Sequence, residues 1–458
     1  MTQDAPSPSF AATGPAYSTL ARGFAEGRTS PRDVLEQHLA RLDAAEPTIR
    51  AFVVHDLDKA RAAADAAAQR WRDGRPLSPI DGMPIGVKDI IQTADFPTRM
   101  NSPIFADAQP GIDAACVRAV KEGGGVIVGK TVTTEFAIGR SGPTLNPHDP
   151  KHTPGGSSSG SAASVGAGMV AAAFGTQTQG SIIRPAGFCG AVGFKPSHGA
   201  LSVQGVHPLS ETLDHLGVIA DDVEDAWRFA RWVAERAPGP LGESLGGPLF
   251  EDLDPVRPKR VGLVATSGFD ELDATSRDAF DRLRARLDAA GVEVVEPSRD
   301  DRLAALVRGL EPLPPHSLDL LAFEMRWPFL GYREQQPDGL GPRLHELTSR
   351  ALELSRDAYV GLRHERLQLR AQLMRLVDDF DAFILPSGSG PAPEGLAYTG
   401  SRTNLVYWTY LGCPCFSLPL MQVGHLPFGL QLAGFAGQDR RLARQAVWLM
   451  QNLPADKG

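Results

Sequence analysis

Residues 154–199 hold the densest group of side chains that could carry out chemistry. Gly, Ser, Ala and Thr dominate this stretch, and GSSSG at 156–160 fits the G-x-S-x-G pattern of a nucleophilic serine on a sharp turn. Such a turn needs a buried strand directly upstream, whereas the preceding NPHDPKHTPG is polar and contains prolines. We therefore do not assign Ser158 this role. Taken alone, the serines would be typical of a flexible Gly/Ser linker.

A second pattern, GGVIVGKT at residues 124–131, fits the phosphate-binding expression G-x-x-x-x-G-K-[ST]. Its mechanism needs a strand before the first glycine and a flexible loop between the two glycines. In this chain the apolar residues 126–128 lie inside the match and predict a strand there, while residues 117–121 are typical of a helix. This context argues against a nucleotide site.

Further motifs accompany the serines and argue against a linker. Twenty-four residues after Ser157 comes Ser181, within GTQTQGSIIRP (175–185), which is followed by FCG (188–190) and GFKP (193–196). PIGVKD (84–89) and GKT (129–131) lie upstream, and LP (385–386) and PFGLQL (427–432) lie downstream. The combination resembles the amidase signature family, and the resemblance covers the chain except for about residues 228–378.

The resemblance implies catalysis by a Ser-cisSer-Lys triad. In that scheme Ser181 is the nucleophile that forms an acyl-enzyme, Ser157 follows a cis peptide bond and passes the proton, and Lys88 is the base. The resemblance also implies an oxyanion hole formed by main-chain N–H groups, those of Thr178, Gln179, Gly180 and Ser181. It implies no metal ion and no organic cofactor.

Lys88 can act as a base only when its amine is neutral. The pKa of a lysine, about 10.4 in water, falls when the amine is buried among apolar neighbours, and Ile85 and Val87 are such neighbours. For a lysine considered alone, a solvated or ion-paired side chain next to Asp89 would be the default interpretation. The matching serines favour the catalytic one.

The chain departs from the usual family strings at four noncatalytic positions, which are Ser159, Gln177, Gln179 and Ile183. Gln177 and Ile183 replace an Asp and an Arg, as expected if those two residues pair in other members, because losing both strands neither buried charge. Arg184 could compensate or not. Gln179 adds a side chain to the oxyanion loop, which could narrow the acyl pocket or bind a substrate; the sequence leaves both open.

Other candidate residues are interpreted as structural. No second Cys or His pair completes a metal site with Cys413 and Cys415. The histidines near the motifs are common loop residues and weak candidates for substrate contact: His148, His152, His198, His207 and His215. The aromatic cluster is expected to cover the core rather than line a pocket: Tyr407, Trp408 and Tyr410.

The composition excludes several classes of protein. With 458 residues, 42% hydrophobic and 22% charged, the chain is neither disordered nor a coiled coil. A net charge of −8 without a basic stripe indicates no nucleic-acid partner. The four cysteines are compatible with a reducing compartment, no secretory signal is evident, and no apolar run approaches the roughly 20 residues of a membrane span. We expect a cytoplasmic protein without a membrane partner.

Alternating helix and strand patterns favour an α/β fold. Helices are predicted around residues 31–42, 57–71, 113–121, 273–290 and 355–378, and strands around 85–88, 125–129, 260–264, 382–385 and 415–420. The resemblance implies an α/β/α layered fold with a large mixed, twisted sheet. We expect a disordered tail at 1–18, one domain over 19–458, a Pro/Gly-rich connector at about 237–258 and a mainly helical, substrate-side segment at about 265–378.

The function implied is hydrolysis of a non-peptide carbon–nitrogen bond in a small-molecule amide, as by an acylamide amidohydrolase. The same triad could attack a carbamate, so a urethane hydrolase, with or without esterase activity, is an alternative. The altered TQTQGS segment disfavours a glutaminase subunit of a tRNA-dependent amidotransferase, and the complete triad disfavours a noncatalytic scaffold. We expect the pocket largely from residues 228–378, and a homodimer would fit the family.

Overall fold

The computed structural model of this protein describes residues 15–453, which are built around one mixed sheet of eleven strands. In chain order the strands are β1 (Phe52–His55), β2 (Pro84–Lys88), β3 (Val126–Thr131), β4 (Ala172–Gln177), β5 (Val192–Lys195), β6 (His215–Ala220), β7 (Arg260–Leu263), β8 (Glu293–Val295), β9 (Ala382–Pro386), β10 (Cys415–Val423) and β11 (Leu426–Ala433).

The strand order is β1-β3-β2-β4-β6-β5-β10-β11-β9-β7-β8. Two parallel groups, β3-β2-β4 and β9-β7-β8, flank an antiparallel centre. Neighbours from β4 through β6, β5, β10 and β11 to β9 are antiparallel, as is the edge pair β1-β3. The predicted α/β fold with a large mixed sheet is therefore confirmed.

Fifteen α-helices surround the sheet within the described residues. They are α1 (Tyr17–Ala25), α2 (Pro31–Ile49), α3 (Leu57–Arg72), α4 (Ala115–Glu122), α5 (Ser159–Gly166), α6 (Ile183–Phe188), α7 (Val223–Arg236), α8 (Ala274–Ala289), α9 (Asp301–Leu310), α10 (Leu313–Glu324), α11 (Arg326–Gln335), α12 (Pro342–Glu353), α13 (Arg356–Met374), α14 (Val406–Leu411) and α15 (Asp439–Asn452).

The start of α2 shows how local sequence sets these boundaries. Ser30 caps the helix, since its hydroxyl oxygen accepts the Asp33 N–H at 3.2 Å. Pro31 occupies the first helical position, where no main-chain N–H is needed. Both features are visible in the sequence, and the helix predicted there is confirmed.

The strands that carry the motifs lie in the most buried part of the sheet. Every residue of β2, β4 and β6 is buried, and helices α5 and α7 pack against β4. Lys88 is the last residue of β2, between β3 and β4 in the sheet order. The end of a fully covered strand therefore places a lysine amine where water is excluded.

The prediction of a tail over residues 1–18 is wrong at its end. Residues 1–14 lie outside the described part, but α1 begins at Tyr17, whose side chain is buried. The carboxylate of Asp225, on α7, accepts the main-chain N–H groups of Tyr17 and Ser18, both at 2.8 Å. These long-range hydrogen bonds dock the helix, and they cannot be read from the local composition.

The segments at 237–258 and 265–378 differ in secondary structure. The connector at 237–258 contains a short 3₁₀ helix, Gly242–Leu245, and neither a strand nor an α-helix. Residues 265–378 form α8 to α13, with β8 between α8 and α9. None of the helices between residues 15 and 453 is long and apolar enough to cross a membrane.

Candidate active site

Lys88 lies at the centre of the site, and its side chain is 0% exposed. Its Nζ is 2.8 Å from Ser157 Oγ and 2.7 Å from Thr176 Oγ1 on the neighbouring strand β4. Burial lowers the pKa of the Lys88 amine well below its usual value, while the negative charge of Asp214 acts in the opposite direction. A neutral amine with a lone pair for a serine proton is the species this environment favours.

The interpretation of Lys88 as half of an ion pair with Asp89 does not hold. Asp89 instead pairs with Lys130: the distance from Lys130 Nζ to the Asp89 carboxylate is 3.2 Å. The Asp89 carboxylate also accepts the main-chain N–H groups of Arg99 and Met100. Asp89 lies in the turn that directly follows the last residue of β2, and its partner Lys130 lies on β3. Two adjacent buried charged residues can therefore have separate partners, and Lys88 is left to the serine.

Ser157 stands in the loop before α5, and its peptide bond to Gly156 is cis, as the family resemblance implies. The Arg184 guanidinium donates to the Gly156 carbonyl oxygen at 2.6 Å and to that of Gly400 at 2.8 Å. Arg184 therefore binds the carbonyl side of the cis bond and has no acidic partner in the described residues. It does not replace the missing Asp/Arg pair.

Ser181 lies between β4 and α6, in a turn held by Gln177. The Gln177 side-chain oxygen accepts the N–H groups of Ile182 and Ile183 at 2.8 and 3.0 Å. Its amide nitrogen donates to Thr409 Oγ1 at 2.9 Å. The neutral Gln177 amide thus provides the hydrogen-bond acceptor for the two N–H groups that follow Ser181. Because this acceptor carries no charge, it needs no arginine at position 183 as a counter-ion.

Three of the four main-chain N–H groups proposed for the oxyanion hole are available as donors. Those of Gln179, Gly180 and Ser181 make no hydrogen bond to any other described residue. Gly180 has no room for a side chain, because a Cβ there would lie 2.6 Å from Leu405 Cδ1. The close approach to Leu405, rather than an unusual backbone angle, requires the glycine.

The two serines are brought to the same place. Both line a cavity of about 500 Å³ together with Thr178, Gln179 and Arg184. The Ser158 N–H donates to the Ser181 carbonyl oxygen at 3.3 Å, which ties their two loops together. No hydrogen bond links the Ser157 and Ser181 hydroxyls. The structure therefore joins Lys88 to Ser157 directly and places Ser181 on the same cavity wall.

The expectation that residues 228–378 largely form the pocket is wrong. Of the cavity lining, that segment contributes Glu271, Leu318 and Arg343, whereas residues 134–139 and 398–403 contribute most of the rest. Residues 398–403 precede α14, which begins at Val406 and packs against α10 and α13. This loop is far from Ser157 and Ser181 in the sequence. No local signal marked them.

The Gln179 side chain, whose role the sequence left open, is held by Ser317 and Arg402. Its side-chain nitrogen donates to the Ser317 carbonyl oxygen at 3.2 Å, and its oxygen accepts the Ser317 hydroxyl at 3.0 Å. The same oxygen accepts an N–H of Arg402 at 2.5 Å. The side chain thus bridges the oxyanion loop to α10 and to the 398–403 loop.

Sequence reasoning also missed Asp214. The Asp214 carboxyl accepts the Thr178 hydroxyl at 2.7 Å and the N–H groups of Leu209 and Ser210 at 2.8 and 3.0 Å. Burial raises its pKa to about 6, although these hydrogen bonds act in the opposite direction. It is the acidic group whose charge Lys88 experiences.

The residues set aside as structural lie away from the two serines. None of the five histidines named above lines their cavity, and His198, His207 and His215 line a second cavity of about 1110 Å³ that shares Thr178 with the first. The aromatic cluster is fully buried, as predicted, and Cys413 and Cys415 are buried free thiols. Within residues 15–453 no group of His, Cys, Asp or Glu could hold a metal ion.

Comparison with known proteins gives consistent similarities. A sequence model described as Amidase matches residues 33–443. The A subunit of glutamyl-tRNA(Gln) amidotransferase from Anaeromyxobacter sp. (strain K) is 34% identical over 472 aligned residues, with 94% of each chain covered. The AtzE subunit of 1-carboxybiuret hydrolase from Pseudomonas sp. (strain ADP) is 35% identical over 300 residues, covering 63% of this chain and 65% of that one. A solved structure of an amidase superposes with a TM-score of 0.82 at 31% identity, covering 96% of this chain and 100% of the other.

Proposed function

The chain belongs to the amidase signature family of carbon–nitrogen hydrolases, and we propose that it hydrolyses a non-peptide amide bond through an acyl-enzyme on Ser181. The observation that carries the proposal is the 2.8 Å contact between Lys88 Nζ and Ser157 Oγ in a fully buried position. A lysine that close to a serine, without an acidic partner, is suited to remove a proton.

In the first step, attack on the amide, one proton moves through two hydroxyls. Ser181 Oγ attacks the amide carbon while its proton passes to Ser157 Oγ, whose own proton passes to the Lys88 lone pair. This step requires the Ser181 hydroxyl to come within hydrogen-bond reach of Ser157 once substrate is bound. The negative oxygen that forms is stabilised by the main-chain N–H groups of residues 178–181.

Two further steps, departure of the amine and hydrolysis of the acyl-enzyme, return the enzyme to its starting state. The proton held by Lys88 passes back through Ser157 to the departing nitrogen as the carbon–nitrogen bond breaks, and the amine leaves. A water molecule then attacks the carbonyl carbon of the Ser181 ester and gives a proton through Ser157 to Lys88; that proton returns to Ser181 Oγ as the bond between the acyl carbon and Oγ breaks. The products are a carboxylic acid and an amine, and every proton is accounted for without a cofactor.

A substrate panel tests this proposal directly. The purified chain is offered aliphatic primary amides, anilides, aryl carbamates and esters, with the Ser181→Ala variant as the control for background hydrolysis. We expect amide turnover that depends on Ser181. Faster hydrolysis of the carbamates than of every amide would establish the urethane-hydrolase alternative instead, and no Ser181-dependent turnover of any class would reject the proposal.

A second candidate is the glutaminase subunit of an amidotransferase, because the relative from Anaeromyxobacter bears an amidotransferase name over 94% of its length. The altered TQTQGS segment argues against it, but the overall similarity favours it. The candidate predicts that L-glutamine is hydrolysed and that the chain co-purifies with a second protein. We expect neither. Glutamine turnover that exceeds every simple amide would reverse the order of the two candidates.

A further inference from the structure

The cavity that Ser157 and Ser181 share is lined by more positive than negative side chains. Three arginines, Arg184, Arg343 and Arg402, contribute to its wall, against one acidic residue, Glu271. The chain as a whole has the opposite balance, with a net charge of −8. A local excess of cations in an acidic protein is a property of the cavity rather than of the composition.

Two of these four charges are already satisfied within the protein. Arg343 contacts both carboxylate oxygens of Glu346 at 2.7 Å. Glu271 accepts the hydroxyls of Ser389 and Thr403 at 2.5 and 2.6 Å. The Glu271 partners are neutral hydroxyls, so among the described residues Glu271 has no counter-ion; the two cations of the wall that also lack one are Arg184 and Arg402.

The Arg184 guanidinium is occupied by structural hydrogen bonds, so Arg402 is the cation of the described cavity wall with N–H donors left for a ligand. The Arg184 guanidinium donates to carbonyl oxygens at Gly156, Gly400 and Ser401, and so it holds the loops around Ser157. The Arg402 guanidinium makes one described hydrogen bond, to the uncharged side-chain oxygen of Gln179. A guanidinium has five N–H donors, so Arg402 retains donors for a ligand.

Arg402 is also fixed in position beside the reacting serine. The Gln179 oxygen that receives its N–H is held from the other side by the Ser317 hydroxyl. Gln179 itself lies two residues before Ser181 in the oxyanion loop. A cation anchored in this way can bind a group on the substrate without losing the side-chain freedom that an unanchored arginine would lose.

On the basis of the proposed function, we propose that Arg402 binds a carboxylate carried by the substrate, so that the preferred substrates are amides bearing a carboxylate group. Carboxylates match the planar N–H fork of arginine, and the resulting hydrogen bonds are charge-assisted. The competing interpretation is that Arg402 only holds Gln179 in place. That role would affect all amides equally, whereas a binding role discriminates between charged and neutral ones.

The kinetic test compares isosteric substrates that differ in charge. Monoamides of the dicarboxylic acids with three to six carbons are compared with the corresponding neutral diamides by ammonia release, corrected for the two equivalent bonds. We expect kcat/KM to favour a monoamide at least tenfold at the best length. Arg402→Gln should remove most of that ratio, Arg402→Lys should keep part of it, and Arg118→Gln, an exposed change outside the cavity, should keep all of it.

A binding measurement separates this inference from the proposed function. In the Ser181→Ala background, calorimetry with the same monoamides and diamides should show tighter binding of the charged member, lost on adding Arg402→Gln. Charge-dependent binding without wild-type turnover would keep the inference and reject the amidase proposal. Amide turnover with no preference for charge at any length, or a preference that Arg402→Gln leaves intact, would overturn the inference alone.

Discussion

At the residue scale, the proposed catalysis depends on which of two adjacent charged residues, Lys88 or Asp89, has a counter-ion. The Asp89 carboxylate pairs with Lys130 on β3. The Lys88 amine instead contacts the hydroxyls of Ser157 and Thr176. The motif predicted that Lys88 and Ser157 act together, and the structure places Lys88 Nζ 2.8 Å from Ser157 Oγ. It could not predict that the amine also contacts Thr176 or experiences the charge of Asp214, because these residues lie on β4 and in the loop before β6, far along the chain.

Loss of the bridging hydroxyl or of the lysine amine should lower kcat strongly without unfolding the protein. Positioned proton transfer contributes about 10²–10⁴-fold to rate, so Ser157→Ala and Lys88→Ala should each lower kcat by roughly that factor. Ser159→Ala, two residues on, removes only a hydroxyl that donates to the Val132 carbonyl oxygen and should stay active. Circular dichroism and steady-state kinetics check both points. A Ser157→Ala enzyme with normal kcat would contradict the proton route.

The rate should rise with pH and level off below the usual lysine pKa. Only neutral Lys88 accepts a proton, and burial lowers its pKa, so the neutral fraction grows as pH rises through that lowered value. Asp214→Asn removes a charge that stabilises the ammonium form, so the rising limb of kcat/KM should move to lower pH. Asp58→Asn, at a fully exposed carboxylate, should leave it in place. A shift to higher pH in Asp214→Asn would be inconsistent with this electrostatic assignment.

At the element scale, the strand-to-helix turn after β4 is what places Ser181. The sequence showed that an Asp and an Arg of the family are absent, and the structure shows that Gln177 alone caps Ile182 and Ile183. The elements themselves were predictable, since α2, α3 and β2 follow from capping residues and apolar periodicity. The hydrogen bonds of Gln177 were not, because its partner Thr409 belongs to α14.

Removing this cap should destabilise the turn and slow catalysis together. Gln177→Ala leaves two buried N–H groups without a partner, at about 1–3 kcal/mol each. We expect the free energy of unfolding in urea to fall by about 2–6 kcal/mol and kcat to be reduced. Gln69→Ala, which removes an exposed hydrogen bond to Asp73, should change stability by less than about 0.5 kcal/mol. Equal stability of the two variants would remove the capping role of Gln177.

At the scale of the whole molecule, the active site is assembled from segments hundreds of residues apart. The sheet order places β5 beside β10 and β9 beside β7, pairings that no local pattern reveals. For the same reason the cavity wall at 398–403 was missed, and the first two residues of α1, Tyr17 and Ser18, were assigned to a tail. The alternation of helices and strands predicted the class of fold, but long-range pairing decides which loops meet.

The docking of α1 gives a measurable consequence of such long-range contacts. Tyr17 is buried and its hydroxyl donates to the Asp81 carbonyl oxygen at 2.9 Å. Tyr17→Ala should lower the free energy of unfolding by about 3–5 kcal/mol through the cavity it creates. Tyr17→Phe, which keeps the ring, should cost only about 0.5–1.5 kcal/mol. Thermal or urea unfolding distinguishes them, and a harmless Tyr17→Ala change would mean that α1 does not contribute to the core.

The central claim is that Ser181 is the hydroxyl that becomes acylated, and covalent labelling tests it most directly. The native protein is treated with a fluorophosphonate, digested, and the adduct located by peptide mass spectrometry, with Ser181→Ala treated in parallel. We predict a single adduct on Ser181 that is absent from the variant, and slower labelling in Lys88→Ala. An adduct on Ser157 or Ser158 in the native protein, or undiminished labelling of Ser181→Ala, would contradict the account.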